Sequence, residues 1–175
     1  MAELLIGCGS RREKLLGRSP AWTNLVTLDI EARHKPDVVH DLESLPLPFP
    51  DDSMDEIHAY DVLEHTGRQG DWRFFFAQWS DFWRILKPGG LFLGIVPLPM
   101  SRWAWGDPSH TRVLSPEALT FLDQAEYDKQ IGTTPMSDFR SVYRADFEPV
   151  LMQPHAATQA LHFGLRAVKP TRCSV

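Results

Sequence analysis

Short apolar runs alternate with polar segments along the first hundred residues, and this alternation is typical of a parallel α/β sheet. Runs at 4–8, 25–29, 37–40 and 56–60 each end at a glycine or an acidic residue. Continuous apolar runs of this length are typical of buried parallel strands. A fifth run covers residues 91–96, and Pro97 ends it because a central strand needs the N–H group of each residue. The pattern therefore predicts a mostly parallel sheet.

Two helices follow from the spacing of apolar side chains and from their end signals. Between Asp71 and Leu86 large apolar residues recur every three or four positions, which predicts an amphipathic helix. The sequence Lys-Pro-Gly-Gly at 87–90 stops that helix. Ser115 and Pro116 have the pattern of an N-cap followed by a first-turn proline, so a second helix is predicted to begin there.

The C-terminal residues complete the predicted sheet. Residues 147–152 and 160–168 are separated by a turn and predict an antiparallel hairpin. Two earlier connections are short: about a dozen residues follow Gly9 before the second strand, and eight separate Asp29 from Val38. A parallel crossover normally needs a dozen residues or more, so helices on that side are short or absent. The predicted fold is α/β and Rossmann-like, with seven strands, mostly parallel, an antiparallel C-terminal hairpin, helices on both faces and some shortened crossovers.

Composition limits the class of protein. The 175 residues are 43% hydrophobic and 23% charged, which fits one globular domain over residues 1–175. The longest apolar stretch is too short to cross a bilayer and the N-terminus carries no basic leader, so we expect a cytoplasmic protein without a membrane partner. A net charge of −5 gives no strong signal for nucleic acid. Cys8 and Cys173 make no disulfide framework.

A glycine turn and a following acid predict a site for a nucleoside cofactor. Gly7 and Gly9 flank Cys8 directly after the first apolar run. Without Cβ atoms the backbone can approach a ligand closely, and its exposed N–H groups favour a carboxylate or phosphate. Asp29 ends the second strand twenty positions after Gly9, where it can accept hydrogen bonds from ribose hydroxyls. Cys8 as a nucleophile is the alternative to a small residue in a tight turn.

With these elements placed, the chain resembles the class I S-adenosylmethionine-dependent methyltransferases from Leu4 to about Leu122. The phrases that carry the resemblance occur in the order expected of that family, at residues 6–9 (Ile-Gly-Cys-Gly), 27–29 (Thr-Leu-Asp), 40–43 (His-Asp-Leu-Glu), 51–57 (Asp-Asp-Ser-Met-Asp-Glu-Ile), 62–65 (Val-Leu-Glu-His) and 84–90 (Arg-Ile-Leu-Lys-Pro-Gly-Gly). The chain is most similar to the small type with a short first crossover and methyltransferase type 11-like motifs. The resemblance implies methyl transfer from S-adenosylmethionine to an oxygen or nitrogen of a small molecule or glycan.

The resemblance also implies which residues bind the cofactor. The turn formed by Gly7, Cys8 and Gly9 passes under the methionine part, while Asp29 holds the ribose hydroxyls. The adenine contacts it implies are Ile30 against the ring, Asp41 accepting from the amino group, and the N–H of Leu42 nearby. An ordinary strand-ending cap is the alternative for Asp41.

Asp61 and Arg11 need separate interpretation. Asp61 follows the fourth strand and is expected to face the methionine end of the cofactor or the substrate. Arg11 replaces the usual third glycine, within the charged run 10–14. That run is interpreted either as a solvated short helix, which we favour, or as a basic lip that meets an anionic substrate or the cofactor carboxylate.

The catalytic hypothesis concerns the acceptor side. Methyl transfer is an in-line displacement, so alignment of the acceptor and exclusion of water are the main requirements. A hydroxyl acceptor benefits from a general base, for which His110 is the best-placed histidine, with Asp61 as a second catalytic candidate. Residues 97–144 are predicted to cover the substrate pocket. Trp103 and Trp105 in that segment either stack on an acceptor ring or sugar, or cap the core.

A metal site is a further alternative. Asp61, Glu64 and His65, together with His110, resemble the pattern of metal-dependent O-methyltransferases that act on small-RNA ends, and two carboxylates with two imidazoles can bind a divalent ion. The same Leu-Glu-His phrase occurs in metal-free relatives, where it starts and orients a helix. We therefore favour a site without metal.

Two other functions compete with methyl transfer. A methyltransferase-like binding or scaffold protein without turnover is the main alternative, because Arg11 departs from the family pattern. A nicotinamide dehydrogenase is less favoured, because the glycine turn lacks its last glycine. The expected partner is a small-molecule or glycan acceptor, and the sequence leaves a homo-oligomer open.

Overall fold

Seven strands form one mixed sheet in the computed structural model, which describes residues 1–174. The strands are β1 (Glu3–Ile6), β2 (Leu25–Asp29), β3 (Val38–Val39), β4 (Met54–Tyr60), β5 (Leu86–Pro97), β6 (Phe147–His155) and β7 (Ala160–Ala167). Their order is β3-β2-β1-β4-β5-β7-β6. The pairs that include β7 are antiparallel and the other pairs are parallel. The predicted seven-stranded sheet with an antiparallel C-terminal hairpin is confirmed.

Strand β5 begins earlier than the sequence predicts. The helix before it ends at Ile85, and Leu86 already has extended backbone and pairs with Met54. The register between β4 and β5 then shifts before Glu56 pairs with Leu91. The helix therefore ends just before the Lys-Pro-Gly-Gly sequence at 87–90, as predicted, but these four residues belong to an irregular part of strand β5.

Helix α1 (Trp72–Ile85) covers one face of the sheet. Its N-cap is Asp71, whose side chain accepts a hydrogen bond from the N–H of Phe74. Buried aromatic side chains on its inner face pack on the sheet; the ring centroids of Trp79 and Phe92 are 4.7 Å apart. The periodic apolar pattern thus predicted both the helix and its buried face.

The opposite face of the sheet is covered without a helix. Residues 10–24 connect β1 to β2 in irregular conformation, and a single 3₁₀ turn (Ala32–His34) lies between β2 and β3. This confirms that helices on that side are short or absent. Neighbouring residues of β4 point to opposite faces of the sheet: Ile57 belongs to the core that α1 covers, whereas Glu56 contacts the irregular segment. The expected covering of both faces by helices is therefore incomplete on this side.

Three short helices lie in the segment 97–144, which was predicted to cover the substrate. They are α2 (Arg102–Gly106), α3 (Pro116–Thr120) and α4 (Gln124–Gln130). Ser115 caps α3 by accepting from the N–H of Ala118, as its sequence position indicates. The covering role of the segment and the single domain over 1–175 stay predictions, and Val175 lies outside the described residues. Within residues 1–174 no helix combines the length and apolar character needed to span a bilayer.

Candidate active site

The turn after β1 has the backbone that its glycines allow. Gly7 has φ +57 and Gly9 has φ +52, both in the left-handed region that side chains disfavour. A Cβ atom on Gly7 would lie 2.1 Å from a methyl group of Val62, so the turn passes directly against that residue. Cys8 is buried, and burial raises the pKa of its thiol. Any contact of Cys8 with a cofactor therefore falls to its backbone, and the small-residue interpretation fits better than a nucleophile.

Asp29 closes this turn from the end of β2. Its Oδ2 accepts from the N–H of Gly9 at 2.7 Å, and its Oδ1 accepts from the N–H of Glu31 at 2.8 Å. Burial by itself would raise the pKa of Asp29, but these hydrogen bonds outweigh it and hold the pKa below the ordinary value. A fixed, ionised carboxylate therefore lies at the edge of the sheet.

A cleft of about 500 Å³ opens beside these groups at the C-terminal ends of the parallel strands. It is lined by Gly7, Gly9, Asp29, Ile30, His34, His40, Asp41, Leu42, Glu43, Val62, His65 and Thr66. The predicted cofactor residues thus converge on one cleft, apart from Cys8 and Asp61. Ile30 lines the cleft and is 66% exposed, so its apolar surface is accessible to a ligand ring.

Asp41 has a structural role in the cleft wall. Its Oδ1 accepts from the N–H of Glu43 at 2.9 Å, which is the local cap that the sequence left as an alternative. Within residues 1–174 its Oδ2 makes no hydrogen bond with another side chain or with the backbone. One oxygen of Asp41 therefore stabilises the turn and the other is available to a ligand.

A second cavity, of about 310 Å³, adjoins the cleft. Its walls include Asp61, Glu64, His65, Trp103, Asp107 and His110, and His65 also lines the cleft. Asp61 has φ +50 at the end of β4, and it lies in this cavity rather than in the cleft with the predicted cofactor residues. Trp103 lines the cavity, but Trp105 does not. From the sequence both tryptophans had the same two possible roles, and only Trp103 lies where it could contact a ligand in this cavity.

Glu64, His65 and His110 form a compact cluster in this cavity. One possible ligand atom from each of the three lies within 4.8 Å of the others. The two imidazole rings are edge to face, with centroids 4.7 Å apart. Burial, reinforced by the nearby charge of Asp61, raises the pKa of Glu64 to about 7. Of the four residues in the alternative metal hypothesis, which was not favoured from the sequence, Asp61 is the one outside this group.

The cluster is held in place by Arg112, which sequence reasoning missed. Arg112 donates from Nε to the carbonyl of Leu63 at 2.9 Å and from Nη2 to Gln78 Oε1 at 2.6 Å. It thereby fixes the 3₁₀ turn (Leu63–His65) that carries Glu64. Burial lowers the pKa of Arg112 to about 10, so the side chain stays charged at neutral pH. A single arginine in an irregular segment carries no sequence signal for this role.

Within the charged run 10–14, Arg12 and Lys14 form neither a basic lip nor a solvated helix. Lys14 is buried between Glu3 and Glu56, at 2.9 Å and 3.0 Å, on the second face of the sheet. Arg12 donates to the carbonyls of Gly9 and His34, and so connects the glycine turn to the far wall of the cleft. Both interpretations made from the sequence were wrong for these two residues. Arg11 is exposed and lines neither cavity.

Comparisons with known proteins identify the family. A family model described as a methyltransferase domain matches residues 4–94. The chain therefore belongs to this methyltransferase domain family, which confirms the resemblance to class I S-adenosylmethionine-dependent methyltransferases.

Individual proteins agree with that family assignment. A probable S-adenosylmethionine-dependent methyltransferase of Mycolicibacterium smegmatis is 35% identical over 80 residues, which are 43% of this chain and 29% of that protein. Sterol 24-C-methyltransferase of Pneumocystis carinii is 26% identical over 70 residues, which are 40% of this chain and 17% of that protein. The matches thus span less than a third of these curated relatives.

A solved structure shares the fold over nearly the whole chain. The N-methyltransferase NodS of Bradyrhizobium japonicum has a TM-score of 0.59 at 17% identity, with 96% of this chain and 86% of that chain covered. NodS has also been solved with S-adenosylhomocysteine, and that structure has a TM-score of 0.57 and covers 95% of this chain and 77% of that chain, again at 17% identity. At this identity the likeness establishes the fold alone.

Proposed function

We propose that this protein transfers a methyl group from S-adenosylmethionine to an oxygen or nitrogen of a small molecule or glycan. The observation that carries the proposal is the junction of two cavities at His65: one is lined by residues that the resemblance assigns to the cofactor, and the other is lined by acidic and imidazole groups. In open α/β folds ligands bind at this edge of the sheet. An acceptor in the second cavity would therefore lie next to the methionine end of the cofactor.

The cofactor residues fit the ligand chemically. Oδ2 of Asp29 accepts from the N–H of Gly9 and retains a second lone pair for a ribose hydroxyl, whereas Oδ1 accepts from the N–H of Glu31 and also lies 3.4 Å from His34 Nδ1. Ile30 offers exposed apolar surface to adenine, and the free oxygen of Asp41 can accept from the adenine amino group. The turn of Gly7 and Gly9 leaves room for the methionine part.

The acceptor side supplies alignment and a route for a proton. In the transfer the sulfonium carbon–sulfur bond breaks, the carbon bonds to the acceptor atom, and sulfur keeps the electron pair to give S-adenosylhomocysteine. The acceptor proton passes to a base in the second cavity, where His110 and Asp61 are the candidates predicted from the sequence. Trp103, 56% exposed on the cavity wall, offers a flat surface for a ring or sugar face.

Calorimetric titration with S-adenosylmethionine, S-adenosylhomocysteine and NADH tests the proposal. Wild-type protein should bind the first two compounds and not the third, and Asp29→Ala should abolish the binding. Glu13→Ala is the matched control, because Glu13 is an exposed acid outside both cavities. If folded wild-type protein binds neither sulfur compound, methyl transfer is contradicted and the scaffold alternative is favoured; binding of NADH would instead favour the dehydrogenase.

A further inference from the structure

Two buried polar atoms in the second cavity lack a partner. Glu64 is 3% exposed, and its Oε2 has no hydrogen-bond donor within residues 1–174. The Nδ1 atom of His110 is buried and unpartnered in the same part of the chain. Each unsatisfied buried group costs about 1–3 kcal/mol. Two such atoms in one cluster require a partner from outside the chain, either an ion or an ordered water.

The unsatisfied atoms do not pair with each other. Among the described residues Glu64 forms no ion pair with His65 or with His110, although each contributes an atom within 4.8 Å of the others. Ligands at about 2.1 Å from one ion lie roughly 3 to 4 Å apart. Shifts of less than about an ångström would therefore bring all three atoms onto a single cation.

Each histidine of the cluster has one ring nitrogen near an oxygen atom and the other nitrogen free. His65 Nδ1 lies 3.3 Å from the carbonyl oxygen of Ser109, which leaves Nε2 free. His110 Nε2 lies 4.0 Å from Asp107 Oδ2, which leaves the unpartnered Nδ1 free. The carbonyl beside Nδ1 of His65 can set its tautomer and orient the ring toward an ion, as in metal sites, whereas the 4.0 Å between His110 and Asp107 is longer than a hydrogen bond.

Hydrogen bonds connect the two backbone segments that carry Glu64 and His110. The N–H of Thr111 donates to the carbonyl of Glu64 at 2.8 Å, so the residue after His110 is joined to the 3₁₀ turn. Arg112 also holds that turn from within the core. Glu64 is buried, His110 is half-buried and His65 is exposed, and these hydrogen bonds hold the two segments that carry them together without an ion, which favours a preformed site.

We propose that Glu64, His65 and His110 bind a divalent first-row transition-metal cation such as Zn²⁺ in the second cavity. Two imidazoles and one carboxylate suit such an ion better than Mg²⁺, which prefers oxygen ligands. Three protein ligands leave a coordination position open to the cavity. Binding of the cation does not depend on methyl transfer, but its role rests on the proposed function: it would lower the pKa of an acceptor hydroxyl and make His110 a ligand rather than the base.

Metal titration of chelator-treated, dialysed protein tests the site. Isothermal titration with ZnCl₂ and MnCl₂, with bound metal counted by elemental analysis, should give one site per chain, and MgCl₂ should bind more weakly. Glu64→Gln and His110→Ala should each weaken Zn²⁺ binding at least about tenfold. His155→Ala is the matched control, because His155 lies in β6 outside both cavities.

The same variants separate this proposal from the proposed function. Glu64→Gln removes a buried charge with nearly the same shape, so its thermal midpoint should equal or exceed that of metal-free wild type, and its affinity for S-adenosylhomocysteine should be unchanged. Absence of Zn²⁺ and Mn²⁺ binding in folded wild type, or equal binding in Glu64→Gln and His110→Ala, would overturn the metal site. Metal binding without S-adenosylhomocysteine binding would overturn the proposed function and leave the metal site standing.

Discussion

Lys14 and Glu56 form an ion pair of 3.0 Å in which both side chains are almost completely buried. The same Lys14 ammonium lies 2.9 Å from Glu3, which is the direct neighbour of Glu56 across strands β1 and β4. Two adjacent acids on one buried face would repel each other without this cation. The irregular segment between β1 and β2 is therefore attached to the sheet by charge, where a helix would be attached by apolar packing.

Replacement of Lys14 should destabilise the fold strongly. Lys14→Met leaves two carboxylates buried without a cation, and we expect a loss of about 3–5 kcal/mol in the free energy of unfolding. Urea denaturation followed by tryptophan fluorescence measures it. Lys35→Met, at an exposed lysine, should change the free energy by less than about 0.5 kcal/mol. A comparably small effect of Lys14→Met would mean that water reaches the pair.

Acid should destabilise the protein through His58. Burial outweighs the attraction of Glu56 and lowers the pKa of His58 to about 4, while the unfolded chain keeps the ordinary value of 6.5. The unfolded state therefore binds more protons between these values, and stability falls as the pH falls through that window, by up to roughly 3 kcal/mol. The charged or titratable groups that face the ring are Glu3, Lys14, Glu56 and Tyr60.

The measurement is the free energy of unfolding at pH 7.5, 6.5 and 5.5. The pKa of Glu56 is also lowered, so protonation of Glu56 reduces stability as the pH falls as well. That loss begins at lower pH, closer to the ordinary glutamate pKa of 4.5. His58→Gln has no titrating ring and should flatten the dependence above pH 5.5. A slope that is the same in His58→Gln and in wild type would assign the effect to other groups.

The two glycines of the turn should respond differently to alanine. Both have positive φ, so each Gly→Ala change costs about 1–2 kcal/mol. At Gly9 nothing lies within 4 Å of the added Cβ, whereas at Gly7 the Val62 side chain blocks it, which adds roughly 1–3 kcal/mol. Chemical denaturation of both variants checks the difference. Val62→Ala should recover part of the loss in Gly7→Ala and none in Gly9→Ala; equal losses at the two glycines would contradict this account.

A nucleoside analogue can test the adenine role of Asp41. S-inosylhomocysteine carries a carbonyl in place of the adenine amino group, so it would face the carboxylate of Asp41 without a proton to donate. Wild type should bind it about ten- to a hundredfold more weakly than S-adenosylhomocysteine. Calorimetry should find this preference lost in Asp41→Ala. If the variant keeps the full preference, Asp41 is only the cap for Glu43.

The cofactor side of the molecule was predictable from the sequence for a local reason. The main predicted cofactor residues lie at or just after the C-terminal ends of strands: Gly7 and Gly9 after β1, Asp29 at the end of β2 and Asp41 two residues after β3. Parallel strands bring their C-terminal ends to one edge of a sheet, so the strand pattern was sufficient to predict that these residues meet. Helix α1 was predictable for a similar reason, because its period shows which side chains are buried.

The covering of the second face and the acceptor-side cluster depended on tertiary structure. Strand pairing makes Glu3 and Glu56 neighbours, and this creates a site for a buried cation that the charged run by itself cannot reveal. Glu64 and His110 meet only because the long segment after β5 folds back onto the 3₁₀ turn. The sequence determined the elements and their chemistry, whereas the burial that leaves these two groups unsatisfied arises from contacts between residues far apart in the chain.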